Sequence, residues 1–309
     1  MARAVDGGVA CPARGTIAPL VLLVALAACV REPPLPPLPV DPPDEVRDVE
    51  IEGQWITARL QIPDTPPGPK PVVIAPTGDA DILLGAGAIV VTYSVNWHLL
   101  AGLKPPEPAP PPPRNTVGTW LLASPTPKTV GKVFLTLIDY NAQHAIPKVI
   151  DHLVTLPEVD PARIGVAGSS TNGFTALQAA AADPRIAAAA VVVACGDYHG
   201  FLHRSSLAMN GRRLDLDPAY DAWLREREPI RRPDRLVHAA VLMVNGAEDV
   251  AVPAACATRT AHALRRAYAR AGVPERYRFV LIPGSGHNLD ERAAQEVLAW
   301  WWRWLLRPP

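Results

Sequence analysis

Eight short segments of this chain are apolar or alternating and rich in β-branched residues, and in its second half they alternate with stretches of helical periodicity. Few folds accept that pattern. The segments 72–75, 88–92, 164–167, 187–194, 241–244 and 278–282 carry almost no polar residue, as strands buried on both faces must. Two earlier ones, 46–52 and 55–62, mix polar with apolar residues and read as a hairpin turning at Gly53 and Gln54. Helical stretches are expected at 146–156, 174–182, 254–271 and 289–306. Pro147 should mark a helix start, because in a helix interior it would remove a hydrogen bond. Strand and helix in alternation predict an α/β fold, a mostly parallel central sheet covered by helices on both faces. Residues 199–236 break the rhythm: they are polar and arginine-rich, with a helical piece at 220–227. They are expected to form a small helical insertion before the strand 241–244.

The flanking stretches read differently. Arg3 and Arg14 precede an uncharged apolar run, 17–28, shorter than the roughly 20 residues a transmembrane helix needs, and an export signal is expected. The run ends in Leu26-Ala27-Ala28-Cys29, which resembles the lipobox of bacterial lipoproteins. That resemblance implies a signal peptide at 1–28, lipidation of Cys29, and a chain anchored to a membrane of the cell envelope, facing periplasm or exterior. Residues 29–44 form a proline-rich linker, since seven of the residues 32–43 are proline and such a segment stays extended. The folded domain is then 45–309, with a second proline run at 105–113 expected on its surface. Cys195 and Cys256 are the cysteines left to the folded part. Outside the cytoplasm they can pair, and the sequence leaves that pairing open. Lysine plus arginine equals aspartate plus glutamate at 30 each, so no electrostatic footprint points to nucleic acid.

Gly168-Ser169-Ser170-Thr171-Asn172-Gly173 joins the strand 164–167 to the helix 174–182. A serine at so tight a turn is lifted above the sheet, and small residues are needed two positions to either side. Ser170 has Gly168 before it, whereas Ser169 would have Ala167 before and Thr171 after. Ser170 is therefore the preferred nucleophile and Ser169 the alternative. Asn172 stands where the G-x-S-x-G pattern has its last glycine; asparagine tolerates left-handed backbone, and Gly173 follows at once. Downstream, the strand 241–244 runs into Asn245-Gly246-Ala247-Glu248-Asp249. An aspartate just past the C-terminal end of a buried strand is where open sheets gather their ligand-binding groups. The Gly-x-x-Asp-x-x-Val-Pro spacing favours Asp249 over Glu248, and Asp197, beyond the strand 187–194, is a rival. After the last strand, Pro283-Gly284-Ser285-Gly286-His287 sets a histidine on a glycine-rich loop that can swing towards the serine.

Together these stretches resemble the α/β-hydrolase superfamily, especially its prolyl-oligopeptidase, dienelactone-hydrolase and acetyl-xylan-esterase branches. The resemblance covers 146–306. Asp160-Pro161-Ala162-Arg163-Ile164-Gly165-Val166-Ala167-Gly168 is similar to the approach to the nucleophile in that group, and the chain order Ser, Asp, His is the superfamily's own. It implies Ser170 as nucleophile, His287 as base and Asp249 as the acid that orients the histidine. It also implies an oxyanion hole from the N–H of Thr171 and of Gly78 or Asp79. Pro76-Thr77-Gly78-Asp79 replaces the His-Gly usual in that loop, and the Asp79 carboxylate must point away from a developing negative charge. A serine rather than a cysteine separates the chain from the dienelactone hydrolases proper.

A serine hydroxyl is a poor nucleophile until a histidine takes its proton, so these parts predict a serine esterase that works through an acyl-serine intermediate. The expected partner is a small-molecule ester or a short peptide. Esters are favoured because no propeller-sized segment precedes the fold; the alternatives are a peptidase of prolyl-oligopeptidase type and a catalytically silent surface-binding protein. No cofactor is expected. Nor is a metal, because two cysteines alone cannot make a four-ligand zinc site. Trp300, Trp301, Trp302 and Trp304 crowd the last helical stretch; most should pack on the sheet, leaving one to touch lipid or a partner.

Overall fold

The structure, a computed structural model, describes residues 45–51, 55–64, 67–74, 80–95, 135, 137–206, 218–289 and 291–307. Cys29 with its signal and linker, the hairpin turn, Gly78 with Asp79, and the second proline run lie outside the described residues.

Eight strands form one sheet: β1 (Glu45–Ile51), β2 (Ile56–Ile62), β3 (Lys70–Ile74), β4 (Ile89–Val95), β5 (Val159–Ser169), β6 (Ile186–Val192), β7 (Ala240–Gly246) and β8 (Tyr277–Ile282). Their order is β1-β2-β4-β3-β5-β6-β7-β8. β2 runs antiparallel to both its neighbours, and every other pair is parallel. All eight expected strands are present. β5 departs most, beginning five residues earlier than expected. A register shift between Lys70 and Val72 absorbs its irregular start, where the Asp160 carboxylate accepts from the Ala162 N–H at 3.0 Å and from Arg163 at 2.6 Å.

Successive residues of a strand face opposite sides of the sheet, and two apolar layers result. Val72, Ile74, Val241 and Met243 point into one; Val73, Leu242 and Val244 point into the other. Helices α1 (Ala80–Gly85), α2 (Ile146–Leu153), α3 (Thr171–Ala182), α4 (Tyr198–Arg204), α5 (Pro218–Arg227), α6 (Ala254–Arg270) and α7 (Glu291–Trp301) accompany the sheet. The first layer takes α2, α3 and α6, the second α1 and α7.

Pro147 stands in the first turn of α2, as expected, but other helical backbone leads into it. Helical backbone is already present at 137–140 and passes through a π turn, Asn141–Ala145, before α2. The Ile146 N–H bonds to the carbonyl of Asn141, five residues back. The proline's missing N–H therefore falls where the hydrogen-bond pattern changes from the π turn to α2. Trp300 and Trp301 of α7 are buried, while Trp302 and Trp304, in the π turn Trp302–Leu306 that follows, pack half-buried against the same layer. A Cβ on Gly165 of β5 would lie 2.8 Å from the Trp301 ring, so that glycine lets the indole approach the sheet.

The insertion begins at α4 and continues through α5 and two 3-10 turns, Pro229–Arg231 and Pro233–Leu236. His199 ties its parts together. Its Nδ1 lies 2.8 Å from Glu228 Oε1 and its Nε2 2.7 Å from Asp221 Oδ1. Hydrogen bonding to Glu228, opposed by partial burial and reinforced by Asp221, holds the imidazole protonated above its ordinary range. Cys195 and Cys256 form a disulfide with Cα atoms 5.9 Å apart, joining the segment after β6 to the first turn of α6.

Candidate active site

Three loops at the C-terminal ends of β5, β7 and β8 converge, as open α/β sheets require of a site. At the first, β5 stops at Ser169 and α3 starts at Thr171, leaving Ser170 with φ 55° and ψ −123°. An L-residue rarely adopts that backbone, and holding it costs about 1–3 kcal/mol. Two hydrogen bonds over-determine it: the Ser170 N–H donates to the Val192 carbonyl at 2.9 Å, and its carbonyl accepts from Phe174 at 3.0 Å. A side chain on Gly168 would collide with the backbone of Asn172. After the serine, the tight position is 173 and not 172: a Cβ on Gly173 would lie 2.7 Å from the Val192 carbonyl and 2.8 Å from Ala194, whereas Asn172 is half-buried. The glycine demand has moved by one residue, which is why asparagine is accepted in the motif. Ser169 is still on the strand, with its side chain exposed.

The acid loop follows β7. The Asp249 side chain is 0% exposed. Its Oδ1 accepts the N–H groups of Ala251 and Val252, both at 2.8 Å, which leaves Oδ2 to face His287 Nδ1 at 2.9 Å. Glu248 is exposed, and its N–H donates to the Ser285 carbonyl at 2.9 Å. The turn thus sends the two acidic side chains in opposite directions. Asp197 is elsewhere: one oxygen caps α4 through the Gly200 N–H at 2.7 Å, and the other pairs with Arg259 of α6. The rival acid is a helix cap.

His287 stands on the loop after β8, which Gly284 turns with φ 71°. Its imidazole is 30% exposed, and Nε2 lies 3.0 Å from Ser170 Oγ. A carboxylate only accepts, so the proton of the neutral imidazole sits on Nδ1 and Nε2 is free to accept from the serine. A Cβ on Gly246 would overlap the carbonyls of Ser285 and Gly286, so a glycine there lets the histidine loop close over the end of β7. Thr171 is the first residue of α3, and an N–H at that position has no carbonyl within its own helix. An N–H in that position is of the kind that can serve a developing negative charge.

Two residues of this region carried no mark in the sequence reading. Val193 is β-branched yet has φ 43°, and its N–H donates to the Val244 carbonyl at 2.8 Å. Beyond that kink the ladder between β6 and β7 has ended, and the fully buried Asn245 takes its place. With its amide nitrogen turned towards the carbonyls of Ala194 and Val244, each at 3.2 Å, its oxygen accepts the Ala194 N–H at 3.3 Å. The one available signal was an asparagine continuing an otherwise apolar strand.

A family model described as the prolyl oligopeptidase family matches residues 138–307, more than half of the 309 residues. Among solved structures, the chain is similar to a puromycin-hydrolysing peptidase of Mycobacterium tuberculosis, with TM-score 0.57 and 21% identity over 84% of this chain and 39% of that one. The acylaminoacyl peptidase of Pyrococcus horikoshii gives TM-score 0.60 and 16% identity over 86% and 42%. A Thermus thermophilus protein gives 0.56 and 20% over 86% and 100%. At these identities the likeness is one of fold, and this chain spans about two fifths of the two peptidases. No curated protein matches it in sequence.

Proposed function

The chain belongs to the prolyl oligopeptidase family, and from that premise we propose that it hydrolyses carboxylic esters, with Ser170 as nucleophile, His287 as general base and Asp249 orienting the imidazole. One observation carries the reading: the hydrogen-bonded line from Ser170 Oγ to His287 Nε2 at 3.0 Å and from Nδ1 to Asp249 at 2.9 Å. Ser170 Oγ attacks the acyl carbon as its proton passes to Nε2, and Asp249 stabilises the imidazolium. The tetrahedral oxyanion takes the Thr171 N–H, with a second donor from the backbone of Gly78 or Asp79; losing one such donor costs roughly 3–4 kcal/mol. The imidazolium returns its proton to the leaving alcohol, and water repeats the sequence on the acyl-serine.

Esters are the least demanding substrates for such a site, because an alkoxide leaves with less proton assistance than an amine. A peptidase is the second reading, favoured by the family itself and by the peptidases among its structural neighbours. The test is a panel of p-nitrophenyl esters beside aminoacyl anilides, with fluorophosphonate labelling of wild type, Ser170→Ala and Ser169→Ala. Labelling and turnover should vanish in Ser170→Ala and persist in Ser169→Ala. Anilides cleaved faster than esters would make it a peptidase, and an unlabelled wild type would leave a silent binding protein.

Export and anchoring through Cys29 belong to the same proposal, on the strength of the apolar run ending in Leu26-Ala27-Ala28-Cys29. Mass spectrometry of the mature N-terminus tests it: an N-terminus other than an acylated Cys29 would refute it.

A further inference from the structure

The root of the insertion is bonded to the acid loop. α4 ends at Ser205, whose side chain is fully buried and whose backbone turns extended, φ −66° and ψ 133°. Its hydroxyl donates to the Ala251 carbonyl at 2.5 Å, and the N–H of Ser206 donates to the Val250 carbonyl at 3.0 Å. Each of those carbonyls shares a planar peptide group with an N–H that reaches Asp249. The Val250 carbonyl and the Ala251 N–H belong to one peptide, the Ala251 carbonyl and the Val252 N–H to the next. Both N–H groups end on Asp249 Oδ1 at 2.8 Å. Two parallel chains therefore run from the insertion to one carboxylate oxygen: Ser206 N–H to peptide 250–251 to Oδ1, and Ser205 Oγ–H to peptide 251–252 to Oδ1.

A peptide is rigid about its C–N bond, so gripping its carbonyl fixes the direction of its N–H. Hydrogen bonds in such a chain also polarise one another and strengthen the last link. The anchor is itself held, since Asp197 caps the start of α4 and pairs with Arg259 on α6. We propose that Ser205 and the Ser206 N–H are positioning groups for the reaction: they aim Asp249 at His287 Nδ1 through two peptides. The proposal rests on the reading of Asp249 as the orienting acid.

The test measures kcat, KM and pH profiles on one p-nitrophenyl ester for Ser205→Ala and Ser206→Pro, each alone and combined with Asp249→Asn. Ser205 already has the extended backbone that a residue before proline prefers, so Ser206→Pro deletes the N–H at an exposed position and does not depend on the buried site tolerating a change. Each single variant should lose about tenfold in kcat with KM held within about twofold, as expected for one lost hydrogen bond acting on the transition state. The acid limb of kcat/KM should move to lower pH, because a poorly aimed carboxylate stabilises the imidazolium less. In the Asp249→Asn background the same changes should cost less than about twofold, since groups that act as a unit are non-additive. A folded Ser206→Pro with wild-type kcat and an unmoved acid limb overturns the proposal, whether or not Ser205→Ala folds. So does a Ser205→Ala loss that is undiminished in the Asp249→Asn background. An unimpaired Asp249→Asn removes Asp249 from the mechanism and the brace with it, whereas an impaired Asp249→Asn beside unaffected Ser205→Ala and Ser206→Pro removes the brace alone.

Discussion

Replacing Asp249 by asparagine exchanges one oxygen for a nitrogen at nearly constant volume, and the surroundings of the side chain decide which oxygen is lost. Oδ1 accepts two backbone N–H groups at 2.8 Å. An asparagine that turned its amide nitrogen towards them would leave two donors without acceptors in a fully buried position, at about 1–3 kcal/mol each. Even the lower figure, roughly 2 kcal/mol in total, biases the orientation by more than tenfold. The amide oxygen therefore keeps the backbone donors, and the amide nitrogen is presented to His287 Nδ1. That nitrogen donates, so the imidazole must accept at Nδ1 and carry its proton on Nε2, 3.0 Å from Ser170 Oγ. In this tautomer it cannot take the serine proton. The expected loss in kcat is on the order of 10⁴, the size seen when a serine protease triad is trapped in the wrong tautomer, with KM and fold retained. Steady-state kinetics on one activated ester, normalised by circular dichroism for the folded fraction, would measure it. Glu248→Gln, at an exposed position, should stay within about twofold of wild type. Asp197→Asn keeps a capping side chain and should lower the melting temperature more than kcat. A near-normal Asp249→Asn beside a large loss in Asp197→Asn would refute the reasoning.

Further outcomes follow from single contacts. Gly168→Ala drives a Cβ into the backbone of Asn172 and should destabilise the fold by about 3 kcal/mol in urea unfolding; a variant of unchanged stability and activity would show that the turn has room. Replacing Cys195 and Cys256 together by alanine opens a disulfide of sequence separation 61, which chain entropy values at about 4 kcal/mol. Unfolding of the oxidised wild type and of the double variant should differ by that order, and coincident curves would mean the bond does not form. His199 has a folded-state pKa raised by Glu228 and Asp221, with Arg225 and Arg231 beside those carboxylates. Its stabilising contribution is thus complete below its unfolded pKa of about 6.5 and lost as pH rises through the folded value. Hydrogen exchange in α5, corrected for intrinsic rates, should accelerate over that upper range, and a pH-independent protection factor would exclude a stabilising role for the His199 contacts.

Much of the fold was legible because its signals are local. A strand buried on both faces needs an unbroken apolar run, and each of the six such segments became a strand. The turn at Ser170 was legible for the same reason, since the steric demand for glycine at 168 arises from atoms only four residues away. The sequence by itself also determined the order of serine, aspartate and histidine and the strand end on which each sits. Pro147 marked the first turn of α2, as local rules expect, whereas the helical backbone that runs into it through the π turn Asn141–Ala145 carried no such local mark. Only the tertiary structure decided which groups meet. His287 and Ser170 are 117 residues apart, and their hydrogen bond exists because β5, β6, β7 and β8 lie side by side with their ends aligned. The same packing turned Asp197 into a helix cap, moved the second glycine demand to 173 and brought Ser205 to the acid loop. Those outcomes depend on distances between segments far apart in the chain. No local steric preference of a serine or an aspartate encodes which carbonyl, amide or cation the folded sheet will set beside it.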